Sequence, residues 1–281
     1  MTVLVVGSLH LDVVTRAPYL PGIDETVTGT GVDYVFGGKG GNQALAAARM
    51  GGQVHFAGRA GSDTFGHTLR HTLAAAGVNT QQLQPDPGPS GMSVAIVNDD
   101  GDYGAVIVSA ANLNIDAEAI SIPQGTKLVL LQNEIPDAVN VAVARKARAS
   151  GVPVWLNAAP ARTLSSSLAA NCDLLLANRV EAAFYKDLAG GPEVLKTLGA
   201  QGVRYRGHTY PAPVVRAVSS HGAGDMFAGA LAAGVAAGKT PQEAITFAQA
   251  AAALHVASDL AARAVMTRDQ VTAFLDAQPS R

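Results

Sequence analysis

At 281 residues the chain has room for one large domain with a substantial core and a small insertion. Its 20 basic and 22 acidic side chains leave a formal net charge of −2, which excludes the broad basic field of a nucleic-acid or membrane-surface binder. The single cysteine, Cys172, excludes an internal disulfide framework and predicts a reducing, cytoplasmic setting, and its neighbours Leu174, Leu175 and Leu176 predict a buried thiol rather than a nucleophile.

Met1 leads straight into Thr2 to Val6, an apolar run of the kind that fills a buried parallel strand, so no leader is expected. No apolar run reaches the ~20 residues a membrane helix needs. The strand ends Val6-Gly7-Ser8-Leu9-His10 without a G-x-G-x-x-G, which rules out a dinucleotide fingerprint. Leu11 to Val35 then follows a two-residue period. Phe36-Gly37-Gly38-Lys39-Gly40-Gly41-Asn42-Gln43 precedes an Ala-rich helix over Ala44 to Met50. It is not a Walker loop, because no Ser or Thr follows Lys39 and the glycine spacing differs. Its glycines let the backbone approach a ligand, and Lys39 and Asn42 offer donors to a hydroxyl-rich one.

Gln53 to Gly58 is expected to be a strand, and Asp63 to Ala76 a helix with Leu69, Leu73 and Ala76 on one face. His67 and His71 stand four apart on that helix; with no third ligand in view they predict an exposed face rather than a metal site. Met92 to Ser109 alternates again, broken by the turn Asn98-Asp99-Asp100-Gly101-Asp102. Strands Leu128 to Gln132 and Val152 to Leu156, with Trp155 in the core, flank a helix over Asp137 to Ala149. Asp173 to Ala177, Val203 to Arg206 and Pro213 to Val218 continue the strands. Strands alternating with helices predict an α/β fold, a doubly wound and mostly parallel sheet flanked by helices, with ligands at the strand C-terminal ends. One domain is expected over 1–281.

Ser219-Ser220-His221-Gly222-Ala223-Gly224-Asp225-Met226-Phe227 lies between the last of those runs and an Ala-rich helix over Ala228 to Gly238. Small residues at such a turn expose backbone N–H groups, and the helix N-terminus behind them carries about +0.5 charge. The result is an anion hole suited to charge on a transferring phosphoryl group. Asp225 would repel phosphate there unless it handles a proton, as a base for an attacking hydroxyl does. The alternative is a glycine-rich cap with Asp225 as a dipole partner. His221 could touch a phosphate; His255 is expected to be a packed core residue.

The opening Val3-Leu4-Val5-Val6-Gly7-Ser8 with Asp12, the run Pro21-Gly22-x-x-Glu25-Thr26-Val27 and the segment Gly37 to Gln43 form the first part of an ordered pattern. Asn157-Ala158-Ala159-Pro160-Ala161, Asn178-Arg179-Val180-Glu181, Thr197-Leu198-Gly199-Ala200-Gln201-Gly202 and Gly222 to Asp225 complete it. Together they resemble the ribokinase-like (PfkB) family of carbohydrate and nucleoside kinases and, within it, the ribokinases. The resemblance implies transfer of the γ-phosphate of ATP to a hydroxyl of a pentose or related sugar. Asp225 would be the general base, and the amides of Gly222, Ala223 and Gly224 the anion hole. His10, Asp12, Gly38, Lys39, Asn42, Glu134 and Asp225 would bind the sugar. Asn178, Thr197, Gly199, Gly202, Gly224 and Gln249 would line the ATP groove, with Asn178 and Glu181 holding Mg²⁺ through water. The alternating segments, about 11–35 and 92–109, would pair as a small β-sheet lid; as ordinary edge hairpins they would need no such role. A homodimer through the lid fits the pattern, with neither nucleic acid nor membrane as a partner.

Two other readings stay open: a nucleoside or pseudouridine kinase, which the 5% aromatic content disfavours, and a catalytically weak sugar-binding member. The chain departs from the family at several points. His10 stands where the family has Asn, which bears on sugar choice. Ser219-Ser220 replaces an Asp-Thr, and Asp259-Leu260-Ala261-Ala262-Arg263 lacks a Gly-rich turn. Both regions build the family's monovalent-cation site, so K⁺ activation is not expected. The stretch from Glu181 to Thr197 is short where the family carries an extra helix and strand, which predicts a more open nucleotide groove.

Overall fold

The computed structural model describes residues 2–188 and 191–278. Met1, residues 189–190 and residues 279–281, all within the domain expected over 1–281, lie outside the described residues. Strand β1 (Thr2–Val6) is followed by β2 (His10–Arg16) and β3 (Gly31–Gly37), then by helix α1 (Lys39–Arg49). Next come β4 (Gln53–Gly61), α2 (Thr64–Ala75), β5 (Asn79–Asp86), β6 (Met92–Val97) and β7 (Tyr103–Val108). The chain continues through β8 (Thr126–Gln132), α3 (Asp137–Ala149), β9 (Val154–Asn157), α4 (Ser166–Ala169), β10 (Leu174–Ala177) and α5 (Arg179–Phe184). It closes with β11 (Glu193–Thr197), β12 (Val203–Tyr205), β13 (His208–Tyr210), α6 (Ala223–Ala236), α7 (Pro241–Ala257), α8 (Leu260–Ala264) and α9 (Arg268–Asp276).

Nine strands form the large sheet in the order β13-β12-β11-β10-β9-β8-β1-β4-β5. It is parallel from β5 to β11, and β12 and β13 add an antiparallel edge. Alternate residues of each strand serve opposite faces. Val3 and Val5 of β1 join a core built with α1, α6 and α7, while Leu4 and Val6 join a second core with Val139, Val143 and Ala147 of α3. That two-sided burial is why these strands are apolar throughout.

The alternating segments form a separate four-stranded sheet, β3-β2-β6-β7. β2–β3 and β6–β7 are antiparallel, whereas β2–β6 is parallel, so residues 81 apart in sequence become neighbours. The expected turn closes β6–β7, with the Asn98 amide donating to the Asp102 carbonyl at 2.9 Å.

Three expectations need correction. Pro213 to Val218 is not a strand: β12–β13 already closes the sheet edge, and Val214 is 80% exposed. Instead, the Val218 and Ser219 amides donate to the Val256 carbonyl at the end of α7. The short stretch from Glu181 to Thr197 still holds a strand that no apolar run announced, β11, parallel to β10. Both Ala-rich helices start within the glycine signatures, at Lys39 and Ala223, because packing overrides the poor helix propensity of glycine. β5 was also not foreseen.

Gly229 carries the contact between α6 and α1. A Cβ there would sit 2.6 Å from the Ala46 Cβ and 2.8 Å from the Ala47 nitrogen. Gly229→Val should therefore destabilise the protein by about 1–3 kcal/mol despite a gain in helix propensity. Urea unfolding checks this; an unchanged midpoint would show that the two helices can separate freely.

Candidate active site

The site forms where the N-termini of α1 and α6 meet the end of β8. α1 has no capping side chain of its own, since its N-cap is Gly38 at φ 86°. Glu134, two residues beyond β8, takes that place: its Oε2 accepts from the Lys39 amide at 2.8 Å and the Ser8 hydroxyl at 2.5 Å. A carboxylate at a helix N-terminus is favoured by the exposed amides and the helix dipole. Its Oε1 lies 3.9 Å from the Lys39 Nζ, too long for a tight pair, which leaves both groups able to meet a ligand.

Asp225 projects from the first turn of α6 and is 8% exposed. The Gln43 Nε2 donates to its Oδ1 at 2.8 Å, and Asn42 supplies a further side-chain hydrogen bond. Gln43 is oriented in turn by the Gln132 Nε2, which donates to its Oε1 at 3.0 Å. Burial pushes the Asp225 carboxyl above the usual carboxylate range, and nearby Glu134 adds to that; Lys39 and the two amide hydrogen bonds pull the other way. The group is thus a carboxylate made more basic by its surroundings.

Gly222, the N-cap of α6, adopts φ 75°, a left-handed conformation that glycine takes without strain. Its carbonyl accepts the Met226 amide at 2.9 Å, while the Ala223 amide reaches back to the Ser220 carbonyl at 3.2 Å. A Cβ on Gly224 would meet nothing within 4 Å, so space in front of the helix is open. The leading amides of a helix lack intrahelical partners.

His10 and Asp12 stand two apart on β2. His10 is 5% exposed and its buried Nε2 has no partner. Burial lowers its pKa, aided by Lys39 and opposed by Glu134 and Asp12, which favours the neutral ring. It lines a cavity of about 340 Å³ with Glu134, Asn133, Ile107, Ser109 and Arg162. The Asp12 Oδ1 accepts from the Ser93 hydroxyl of β6 at 2.6 Å. His10, Asp12, Gly38, Lys39, Asn42, Glu134 and Asp225 are therefore gathered in one region.

The residues expected at a nucleotide fall into separate groups. Asn178 caps α5 by accepting the Val180 and Glu181 amides, and the Glu181 Oε2 accepts the Asn178 amide at 2.8 Å. Thr197 ends β11, and Gly199 and Gly202 shape the loop that follows at φ 62° and 96°. Arg179 ties this loop to α5 by donating to the Leu198 carbonyl at 2.6 Å. Gln249 lies apart on α7, buried with its Oε1 unpartnered, and lines a second cavity of about 770 Å³ with Thr209, Tyr210, Gln242 and Thr246. Asn178, Thr197 and Gly199 do not line that cavity.

His67 and His71 are exposed, and Cys172 is buried with its thiol pushed up to about 12. His255 is not a packed core residue. It is part-exposed near the end of α7, with its Nε2 2.9 Å from the His221 carbonyl, because the loop before α6 needs a polar support there. Sequence reasoning also missed Gln43, Gln132, Ser8 and Ser93. Gln43 had a visible signal, as the one large polar residue at the inner edge of an Ala-rich helix.

The pfkB family carbohydrate kinase model matches residues 2–268. The chain belongs to the pfkB family of carbohydrate kinases. As a family member it is a phosphotransferase acting on a sugar hydroxyl. The ribokinase of Bacillus subtilis is 35% identical over 97% of this chain and 99% of its own length. That of Haemophilus influenzae is 31% identical over 98% of each. The structure of Arabidopsis thaliana ribokinase complexed with ribose and ATP superposes with a TM-score of 0.88 at 28% identity, covering 99% of both chains. Among the described residues no group of three or more His, Cys, Asp or Glu could hold a metal ion, and no helix is long and apolar enough to cross a membrane.

Gln43 gives a direct check on the electrostatics. Hydrogen bonds to charged groups contribute about 1.5–3 kcal/mol, or roughly 1–2 pH units. Gln43→Leu should therefore move the Asp225 titration to higher pH by about that much, followed by the carboxyl ¹³C shift in labelled protein. A midpoint unmoved within a few tenths of a unit would show that Gln43 does not tune the carboxylate.

Proposed function

We propose that this pfkB-family member is an ATP-dependent sugar kinase that phosphorylates a hydroxyl of a ribose-like pentose. The observation that carries the proposal is Asp225, a buried, amide-held carboxylate in the first turn of a helix whose N-terminus faces open space. Such a helix end attracts the transferring phosphoryl group, and the carboxylate takes the proton of the attacking hydroxyl. As that oxygen closes on the γ-phosphorus, the bond to the bridging oxygen breaks and ADP leaves with its electron pair. The amides of Gly222, Ala223 and Gly224 hold the charge on the equatorial oxygens; Ala223 must then give up its long bond to Ser220.

Asp12, Lys39, Asn42 and Glu134 would grip the sugar hydroxyls and fix the geometry of attack. The ribose and ATP bound by the Arabidopsis relative support this substrate pair. Asn178, Thr197, Gly199, Gly202 and Gly224 would meet the nucleotide, with Gln249 at its far side. The Glu181 Oε1 remains beside the capping box and suits a hydrated Mg²⁺, which keeps most of its water and needs few protein ligands. Bound there, the ion would neutralise charge on the phosphates; Asn178 can join only indirectly, its amide nitrogen donating to the ion's water or to a phosphate oxygen, since its own oxygen caps α5.

The small sheet would act as the lid, excluding water from the sugar. A homodimer through it is part of the proposal: Val32, Tyr34, Tyr103, Val106 and Ile107 are exposed there, an apolar area that a second copy would cover. No aromatic side chain lines the cavity beside His10, which favours a pentose over a nucleoside.

Asp225→Asn should lower kcat by about 10²–10⁴-fold. The sign of the stability change separates chemistry from folding. A raised folded-state pKa means that ionised Asp225 costs stability above that pKa, a cost that vanishes as pH falls through it toward the unfolded value. The variant should thus melt no lower than wild type at pH 7. Retention of more than half the wild-type kcat would remove the proposed base.

His10→Asn should shift kcat/KM toward ribose relative to the best substrate in a panel of sugars and nucleosides tested with Mg·ATP. A neutral imidazole offers one donor and one acceptor, against two donors for Asn. A single altered contact is worth about 1–3 kcal/mol. Equal losses for all substrates would assign His10 to folding rather than to reading the sugar.

A further inference from the structure

The loop that leads into α6 is held from behind by one buried side chain. Arg263 of α8 is 7% exposed. Its Nη2 donates to the Ser219 carbonyl at 2.6 Å, its Nη1 to the His221 carbonyl at 3.4 Å and its Nε to the His255 carbonyl at 2.8 Å. One guanidinium thus gathers backbone oxygens from both the loop before Gly222 and the end of α7. None of its hydrogen-bond partners is a carboxylate, and among the described residues it forms no ion pair. Asp259, the N-cap of α8, acts on it only at a distance, and Arg49 lies on the same side, donating to the Arg263 carbonyl at 3.2 Å. Its hydrogen bonds therefore all go to carbonyl oxygens, in the manner of a cation held in a cage of carbonyl oxygens.

The geometry points to Arg263 as a positioning residue for the anion hole, a tethered cation that fixes the Ser219 and His221 carbonyls and thereby aims the Gly222–Gly224 amides. The inference rests on the reading of those amides as the phosphoryl-holding group. It also accounts for the departures in this part of the chain. Of the two segments that the family resemblance assigns to a monovalent-cation site, one holds Ser219, whose carbonyl Arg263 binds, and the other ends in Arg263 itself, while neither Ser219 nor Ser220 supplies a carboxylate. A free K⁺ does not fit the same oxygens beside a guanidinium, because like charges at contact repel. The built-in cation makes the loop independent of dissolved salt.

The test compares wild type, Arg263→Ala and Arg263→Lys, with ribose and Mg·ATP as substrates at constant ionic strength set by KCl or tetramethylammonium chloride. Wild-type kcat should be the same in both salts. Arg263→Ala should lose at least tenfold in kcat with little change in the sugar KM, and should regain much of it, saturably, with added guanidinium or K⁺. Arg263→Lys should fall between the two, and it keeps the test alive if the alanine variant does not fold. Several-fold K⁺ activation of wild type would overturn the inference. So would wild-type kcat in Arg263→Ala, or a loss in both variants that neither cation restores. Hydrogen exchange gives a readout that needs no turnover: amides 219–225 should exchange faster in Arg263→Ala and slow again with guanidinium. Unchanged exchange would overturn the positioning role, whereas changed exchange without wild-type turnover would count against the kinase reading alone.

Discussion

The structure depends on a buried carboxylate kept usable. Asp225 sits at the end of a helix packed on its neighbour at Gly229, where the backbones of α6 and α1 touch, and that contact brings Gln43 within 2.8 Å of it. Burial alone would favour the protonated acid. The amides of Gln43 and Asn42 and the charge of Lys39 oppose that, so the group stays ionisable while the surrounding apolar helices exclude solvent. A side chain at position 229 would harm two things at once, the packing of the core and the electrostatics of the acid.

The two glycine signatures are helix starts with different fates. The N-terminus of α1 is filled by Glu134, so its amides are committed within the protein, whereas that of α6 has no side-chain cap and opens onto space. A protein carboxylate and a phosphoryl oxygen answer the same electrostatic demand at a helix end. Capping one end and leaving the other bare determines which can receive an anion. Lys39 lies between the two, felt by both Asp225 and His10.

Much of this was legible in the sequence because it depends on local pattern. The apolar runs of β1, β8 and β10 announce strands buried on both faces, and the alternation over 92–109 announces a half-exposed hairpin. The glycine signatures marked the ends of α1 and α6 that matter. What was not legible depends on distant partners. Pro213 to Val218 has the apolar content of a strand but no vacant sheet edge to join, and its last amides settle on α7. β11 was hidden because its residues, Glu193 to Thr197, are mixed in polarity on an exposed flank of the sheet. Gln43 and Gln132 acquire meaning only when β8, α1 and α6 converge, and no spacing within one segment predicts that convergence.

The small sheet is also part of the site rather than a cover added to it. His10 and Asp12 belong to β2, whose register pairs Asp12 with Ser93 of β6, and the Ser93 hydroxyl bonds the Asp12 carboxylate. β3 runs into Gly37 and so to the N-cap of α1, while Asn112, just beyond β7, holds the amide and carbonyl of Leu9 ahead of His10. Three of the connections between the large sheet and the small one therefore pass through residues beside the candidate site. A shift of the small sheet cannot leave Asp12 in place, because its orienting partner moves with the neighbouring strand. Seating the sheet and orienting the Asp12 carboxylate are then one event, so under the proposed function water exclusion and substrate alignment would be coupled without a separate signal between them.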